Sequence, residues 1–197
     1  MKNFTLLFCV ALLGCATPRS APSSFDLGSL PPLPATTSLQ WPIKSLKVAD
    51  ISAPSLLDGP LMLYRLSYAE AQQPRPYANS RWSMPPAQML TQRIKASLAQ
   101  EGVQIVQASD SVNHGGLLRI ELDEFIQHFS QAQQSYGHLR WRASLIQGRQ
   151  LVAQKTFQQA VPATSHNAAG GAQALAKATD LALVDLKLWL ASLPAAK

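Results

Sequence analysis

The stretch from residue 117 to 161 constrains this chain most. It holds three runs in which apolar and polar residues alternate, the period of a strand whose two faces meet different surroundings. In Leu117 to Phe129, Leu118, Ile120 and Leu122 share one face. In His138 to Ile146, Leu139, Trp141, Ala143 and Leu145 alternate with Arg140, Arg142 and Ser144. Leu151 to Val161 is the third run, and Gln147-Gly148-Arg149-Gln150 before it suits an antiparallel hairpin turn. Ala172 to Leu193 closes the chain as a long helix.

The elements upstream are shorter. Ile43 to Ile51 reads as a strand, with Leu46 and Val48 on one face. Pro60 to Ser67 has apolar residues on both sides and reads as a strand covered on both faces. Turn residues from Ala53-Pro54 to Asp58-Gly59-Pro60 separate the two. Ala69 to Pro76 reads as a polar loop. Ser83 then suits a helix cap and Pro85-Pro86 a first turn, before Ala87, Leu90, Ile94 and Leu98 recur at helical spacing. Gly102 ends that helix, and Val103 to Val106 is a short strand. Gly28 to Pro42 is held irregular by its prolines, and Ser165 to Gly171 reads as a small-residue loop.

The N-terminus is of another kind. Met1-Lys2-Asn3 carries one positive charge, and Phe4 to Leu13 is apolar except for Thr5. A membrane-spanning helix needs about 20 residues, so this run is a targeting segment and stands outside the fold. It ends at Leu12-Leu13-Gly14-Cys15, which resembles the lipobox of a bacterial lipoprotein. Cys15 would then be the acylated first residue of the mature chain. Each buried methylene contributes about 0.8 kcal/mol, and two or more chains make a stable anchor. Ordinary secretion is the alternative, because Gly14-Cys15-Ala16 also fits a small-x-small cleavage site. Among lipoproteins sorted after lipidation, aspartate after the cysteine favours the inner membrane. Ala16 stands there, which implies the inner leaflet of the outer membrane.

The expected organisation is a signal at 1–14, an acylated Cys15 and tether over 15–23, and one periplasmic domain over 24–197. Ala16 to Ser23, semi-extended, reaches on the order of 25 Å. Cys9, the other cysteine, falls in the signal, so no internal disulfide is expected and packing alone must stabilise the domain. The formal net charge is +6. Its Lys and Arg are scattered, and a nucleic-acid role has no support in this compartment.

Catalytic and metal signals are weak. Ser165-His166 is an adjacent Ser/His pair without a nucleophile-elbow motif. His114, His128, His138 and His166 have no helical i, i+4 pairing, so no metal site is expected from spacing. Gly115-Gly116 and Gly170-Gly171 read as turns. Glu121, Asp123 and Glu124 read as a charged strand edge that discourages edge-to-edge pairing. Tyr64, Arg65, Tyr77 and Trp82, with Arg81, are residue types found at binding hot spots; the other reading makes Tyr64 and Trp82 core aromatics.

The last helix is apolar on two faces. At about 100° per residue, Leu175, Ala182, Leu186, Trp189 and Leu193 make one stripe. Leu181, Val184 and Leu188 fall on the other side, among Lys177, Asp180 and Lys187. One small sheet covers one of these faces, so the second is expected to meet another subunit or a partner. A loop near Pro31 to Pro34 lying over it is the alternative.

The order of motifs resembles a known family. Phe25-Asp26-Leu27-Gly28 follows the lipobox, and Leu57-Asp58-Gly59-Pro60 leads into Leu63-Tyr64-Arg65. Tyr77, Trp82, Pro85-Pro86 and Met89-Leu90 come next, then Leu118-Arg119-Ile120-Glu121-Leu122 before Glu124-Phe125. Phe157 and an Ala-rich amphipathic helix close the series. This is similar to the ABC-type transport auxiliary lipoproteins, the group that includes the paraquat-inducible C lipoprotein.

The resemblance implies an α/β sandwich with a mixed, largely antiparallel sheet, like the TolB N-terminal and anticodon-binding folds. It implies a non-catalytic component of a lipid transport system, hung from the outer membrane by its acyl groups and lacking other cofactors. The implied partner is the MCE-domain periplasmic subunit of the transporter, with a homo-oligomer suited to a tubular partner. A lipid carrier or chaperone is the alternative, and it requires a deep apolar cavity. If Phe25-Asp26-Leu27 is the first strand, the tether is short.

Overall fold

The computed structural model describes residues 21–32, 41–106 and 115–194. Cys15, the signal and most of the tether lie outside the described residues, as does His114. The strands, in chain order, are β1 (Ser23–Phe25), β2 (Ser45–Val48), β3 (Leu61–Leu66), β4 (Pro74–Trp82), β5 (Gln104–Val106), β6 (Leu117–Gln131), β7 (Gln134–Gln147) and β8 (Gln150–Pro162). The helices are α1 (Pro86–Gln100) and α2 (Ala168–Ala191), and Ser55–Leu57 forms one 3-10 turn.

The three alternating runs build the centre. β6 pairs β7 and β7 pairs β8, both antiparallel over most of their length. The β7–β8 turn carries Gly148 at φ 57°, a left-handed conformation that glycine adopts without steric cost. The hairpin between β6 and β7 is longer than its apolar pattern suggests, because polar residues continue the ladder to Gln131 and Gln134. On its other edge β6 pairs, parallel, with β2 near its start and with β3 near its end. β4 then pairs β3 antiparallel and β1 parallel, while β5 extends β2. The result is one mixed eight-stranded sheet whose long ladders are antiparallel.

β6 is therefore an inner strand, and Glu121, Asp123 and Glu124 are not a charged edge. Glu121 pairs Arg142 across the ladder, and Asp123 lies 3.4 Å from Arg140. These are cross-strand ion pairs on the face turned from the helices, a common stabilising arrangement on antiparallel strands.

Both helices lie on the other face. Leu90, Ile94 and Leu98 of α1 are fully buried, as their spacing predicts. Ser83 is not the cap of this helix: Pro85 occupies that position, and the Ser83 amide donates to the Phe25 carbonyl at 2.7 Å. Gly102, at φ 84°, ends the helix. From α2, Leu175, Ala182 and Leu186 fill the core with Trp82, Phe125, Leu139 and Trp141. Each such large apolar side chain stabilises the fold by about 1.5–3 kcal/mol.

α2 starts at Ala168, four residues before its apolar pattern begins. Asn167 caps it, its side-chain oxygen accepting from the Gly170 amide at 3.0 Å. Gly170 and Gly171 are helical rather than turns, and both need to be glycine. A Cβ on Gly170 would collide with Ser165, and one on Gly171 with the Gln127 side chain. Asn167→Ala is expected to cost about 1 kcal/mol, the usual worth of such a cap, measured as a shift in the urea midpoint.

The loop expected over Ala69 to Pro76 is shorter, because β4 begins at Pro74. The first strand lies at Ser23–Phe25, two residues earlier than Phe25-Asp26-Leu27. It takes in Ser23, which the tether reading had included. Asp26 instead closes a turn, its carboxylate accepting from the Gly28 amide at 2.8 Å.

Candidate functional site

The outer face of α2 carries the largest apolar feature of the surface that the sequence singles out. Leu181, Val184 and Leu188 are 37%, 48% and 52% exposed. They sit one helical turn apart, opposite the fully buried Leu175 and Leu186. A lone exposed leucine is ordinary, but three in one stripe on a helix otherwise packed into the core are not required by the fold. Leu30, Pro31 and Pro32 line a groove together with Leu181 and Val184, so the N-terminal segment borders this face. Lys177 stands at the same groove, and Lys187 is held at 2.7 Å by Glu101, the residue just after α1.

α2 is fixed against α1 by a second ion pair. Arg93 of α1 donates to Asp180 through Nε at 2.9 Å and Nη2 at 2.6 Å. The same guanidinium donates to the carbonyls of Gly28, at 2.9 Å, and Ser29, at 3.3 Å. One arginine thus holds both helices and the chain after β1 in one arrangement.

The four residues proposed for binding do not form one surface. Trp82 is 1% exposed and packs on Phe125 with ring centres 5.3 Å apart, so its indole offers nothing to a partner. Tyr64 and Tyr77 pack with ring centres 4.7 Å apart, tilted at 43°, on the helix side of the sheet. The Tyr77 hydroxyl donates to Gln127 at 2.8 Å, and burial pushes its ionisation well above the ordinary tyrosine range, with Tyr64 adding to the shift. Gln127 in turn donates to Ser135 at 2.9 Å, which completes a buried polar network under α2. Arg65, next on β3, points to the opposite face, as strand alternation requires. Arg81 is exposed.

On that opposite face the strands gather a group that the sequence did not reveal. Glu124 accepts from His138 Nδ1 at 2.7 Å and lies 3.2 Å from His128 Nε2. Arg65 Nη2 is 3.7 Å from the same carboxylate. Hydrogen bonds from His128, then His138, hold the Glu124 carboxyl well below the usual carboxylate range, against the opposing effect of partial burial. His128 Nδ1 meets the Ser67 hydroxyl at 3.0 Å, and Tyr136 stacks on the His128 ring at 5.3 Å. Helical spacing misses this set because its members sit on paired strands. Residues placed about symmetrically around the Ala132-Gln133 turn come side by side, which is the signal that finds them.

Ser165 and His166 do not pair as a nucleophile and base among the contacts of this loop. The Ser165 hydroxyl donates to Asn167 at 2.9 Å, beside the α2 cap, and His166 is exposed. Among the described residues no helix is long and apolar enough to cross a membrane.

Comparison with known proteins agrees with this architecture. The crystal structure of protein XCC0632 from Xanthomonas campestris superposes with a TM-score of 0.72 at 21% identity, covering 85% of this chain and 93% of that one. The crystal structure of an uncharacterized protein gives 0.66 at 17% identity, covering 86% and 99%. At these identities the likeness shows the fold. No curated protein sequence matches significantly. A family model described as "ABC-type transport auxiliary lipoprotein component" matches residues 25–186, from β1 through the buried turns of α2. The chain belongs to the ABC-type transport auxiliary lipoprotein family.

Proposed function

We propose that this protein is a non-catalytic docking component of an intermembrane lipid transport system, anchored to the periplasmic face of the outer membrane by acyl groups on Cys15. The observation that carries the reading is the apolar strip of Leu181, Val184 and Leu188 on a helix whose other face is already buried. Family membership supports an ABC-type transport system as the setting, and lipid as the cargo is part of the proposal. In this reading the strip receives the MCE-domain periplasmic subunit, and several copies of the chain surround a tubular partner. The anchor fixes one end of the assembly, and the domain presents the strip at a set distance from the bilayer.

A lipid carrier has less support. The core is filled by Trp82, Trp141, Phe125, Met62 and Leu90, all without appreciable exposure. The clefts beside α1 and α2 have charged residues on their walls, among them Arg93, Asp50, Lys95 and Lys177.

Val184→Asp tests the docking reading. Val184 is exposed, so the variant is expected to keep its unfolding midpoint within about 0.5 kcal/mol of the parent. Affinity capture of the acylated protein from membranes, followed by mass spectrometry, should recover the MCE subunit with the parent and lose it with the variant. Light scattering should show the parent's assembly reduced to a folded monomer. Equal recovery and unchanged mass would remove the strip from the mechanism.

A further inference from the structure

We propose that Glu124, His128 and His138 form a three-ligand site for a divalent transition-metal ion, with zinc as its representative. This proposal is independent of the docking reading. The donor set is two imidazoles and one carboxylate, a combination suited to zinc that leaves a fourth position for water or an outside ligand. One ligand atom from each residue can be chosen so that all lie within 4.8 Å of one another. Zinc holds nitrogen and oxygen at about 2.0–2.2 Å, so tetrahedral ligands stand roughly 3.3–3.5 Å apart. The observed Glu124 contacts, Oε2 to His138 at 2.7 Å and Oε1 to His128 at 3.2 Å, open by up to about 0.8 Å to reach that spacing, and any ligand pair as far apart as 4.8 Å closes by about 1.3–1.5 Å.

The surroundings are those of a prepared site. All three ligands stand on β6 and β7, inner strands that share one long ladder with a bulge just before Glu124, and strands place ligands more tightly than loops. The His128 ring is fixed on two sides, by Tyr136 stacked at 11° and by Ser67 at Nδ1. In the ion-free cluster His128 Nε2 donates to Glu124, and on metal binding the proton would move to Nδ1, where the Ser67 hydroxyl at 3.0 Å accepts it and the Nε2 lone pair is freed for the ion. Such an outer hydrogen bond to the second nitrogen is what orients metal-binding imidazoles. Both histidine side chains are only 12% exposed, while Glu124 at 27% leaves an approach from solvent.

Arg65 is the opposing element. Its Nη1 donates to the Ala71 carbonyl at 3.0 Å, so it stands fixed with its charge near the carboxylate. That charge weakens cation binding. A purely hydrogen-bonded cluster would instead be loosened by losing Arg65. The two cases therefore respond to one variant in opposite directions.

The test is calorimetric titration of the purified, detergent-solubilised protein with zinc chloride after chelator treatment. One equivalent should bind, with Kd on the order of micromolar or tighter, and cobalt should give the visible absorption of a four-coordinate nitrogen–oxygen site. His138→Gln and Glu124→Gln should each weaken binding at least tenfold, and His166→Ala should leave it unchanged. Arg65→Gln should tighten it, roughly three- to tenfold for a unit charge removed from a half-exposed site. Far-UV circular dichroism checks the fold of each variant, and His128→Asn serves where His138→Gln fails to fold. No saturable binding to the parent overturns the proposal. So does binding that survives both histidine variants, or weaker binding in Arg65→Gln.

Discussion

Gly137→Ala is expected to lower the unfolding free energy by about 3 kcal/mol, at the upper end of the cost of overpacking. At Gly137 of β7 the backbone of α2 comes close enough to leave no room for a side chain. An added Cβ would stand 2.7 Å from the Leu175 amide nitrogen, 2.8 Å from the Ala174 carbonyl carbon and 2.9 Å from the Ala174 Cβ. Two of these are backbone atoms of a helix and cannot swing aside, so α2 must retreat as a body. The retreat would loosen Leu175, Ala178 and Ala182, all fully buried. In a domain of this size the loss corresponds to a fall in Tm of about 6–12 °C. Gly59→Ala is the control, because a Cβ there meets nothing within 4 Å and the backbone is not left-handed. It should stay within about 0.5 kcal/mol of the parent. Equal midpoints for the two variants in urea would mean that α2 does not approach β7 at this residue.

Asp180→Ala should be comparably costly, at about 3–5 kcal/mol, because it leaves a buried cation without its counter-ion. The Arg93 side chain is 5% exposed, whereas Asp180 is 22% exposed. The asymmetry gives an order. Arg93→Met strands a carboxylate that reaches water and should cost less, roughly 1–2 kcal/mol. The double variant Arg93→Met with Asp180→Leu should recover most of the loss, since well-packed apolar groups replace buried ion pairs at little cost. Denaturant unfolding of the three variants measures the order directly. A double variant no better than Asp180→Ala would mean that the bonds from Arg93 to Gly28 and Ser29 matter more than the charge pair.

Much of this fold is legible from side-chain period. The hairpins of β6 to β8 follow from alternation, and α1 follows from Pro86 with Leu90, Ile94 and Leu98 at helical spacing. What the sequence hides is settled by tertiary contact. β4 carries Pro74 and Pro76, which read as loop because proline gives no ladder donor. They are tolerated because β1 pairs β4 only at Ser80 to Trp82, so the proline end of β4 is an edge. Gly170 and Gly171 read as a turn because glycine is a poor helix former. In the fold they are helical, because Ser165 and Gln127 leave no room for a Cβ. The two-faced α2 is visible in the sequence, and so is its exposed strip. The Glu124 cluster is not, because a bulge between Leu122 and Glu124 and the register of β6 on β7 decide which side chains meet. The Tyr64, Arg65, Tyr77 and Trp82 set shows the converse: nearness in sequence does not survive strand alternation.

The three-residue strand β1 has a mechanical consequence. It is where the chain arriving from upstream first joins the sheet, and it is held by parallel pairing to Ser80 through Trp82. Tension along the strand axis loads those bonds together, in shear. Tension across the sheet peels them one at a time from Ser23. Either way the next stop is Arg93, gripping the carbonyls of Gly28 and Ser29. Force that opens β1 is therefore handed to α1 and, through Asp180, to α2. A pull on the chain upstream of Ser23 would thus reach the helix that carries the apolar strip as well as the sheet through β4.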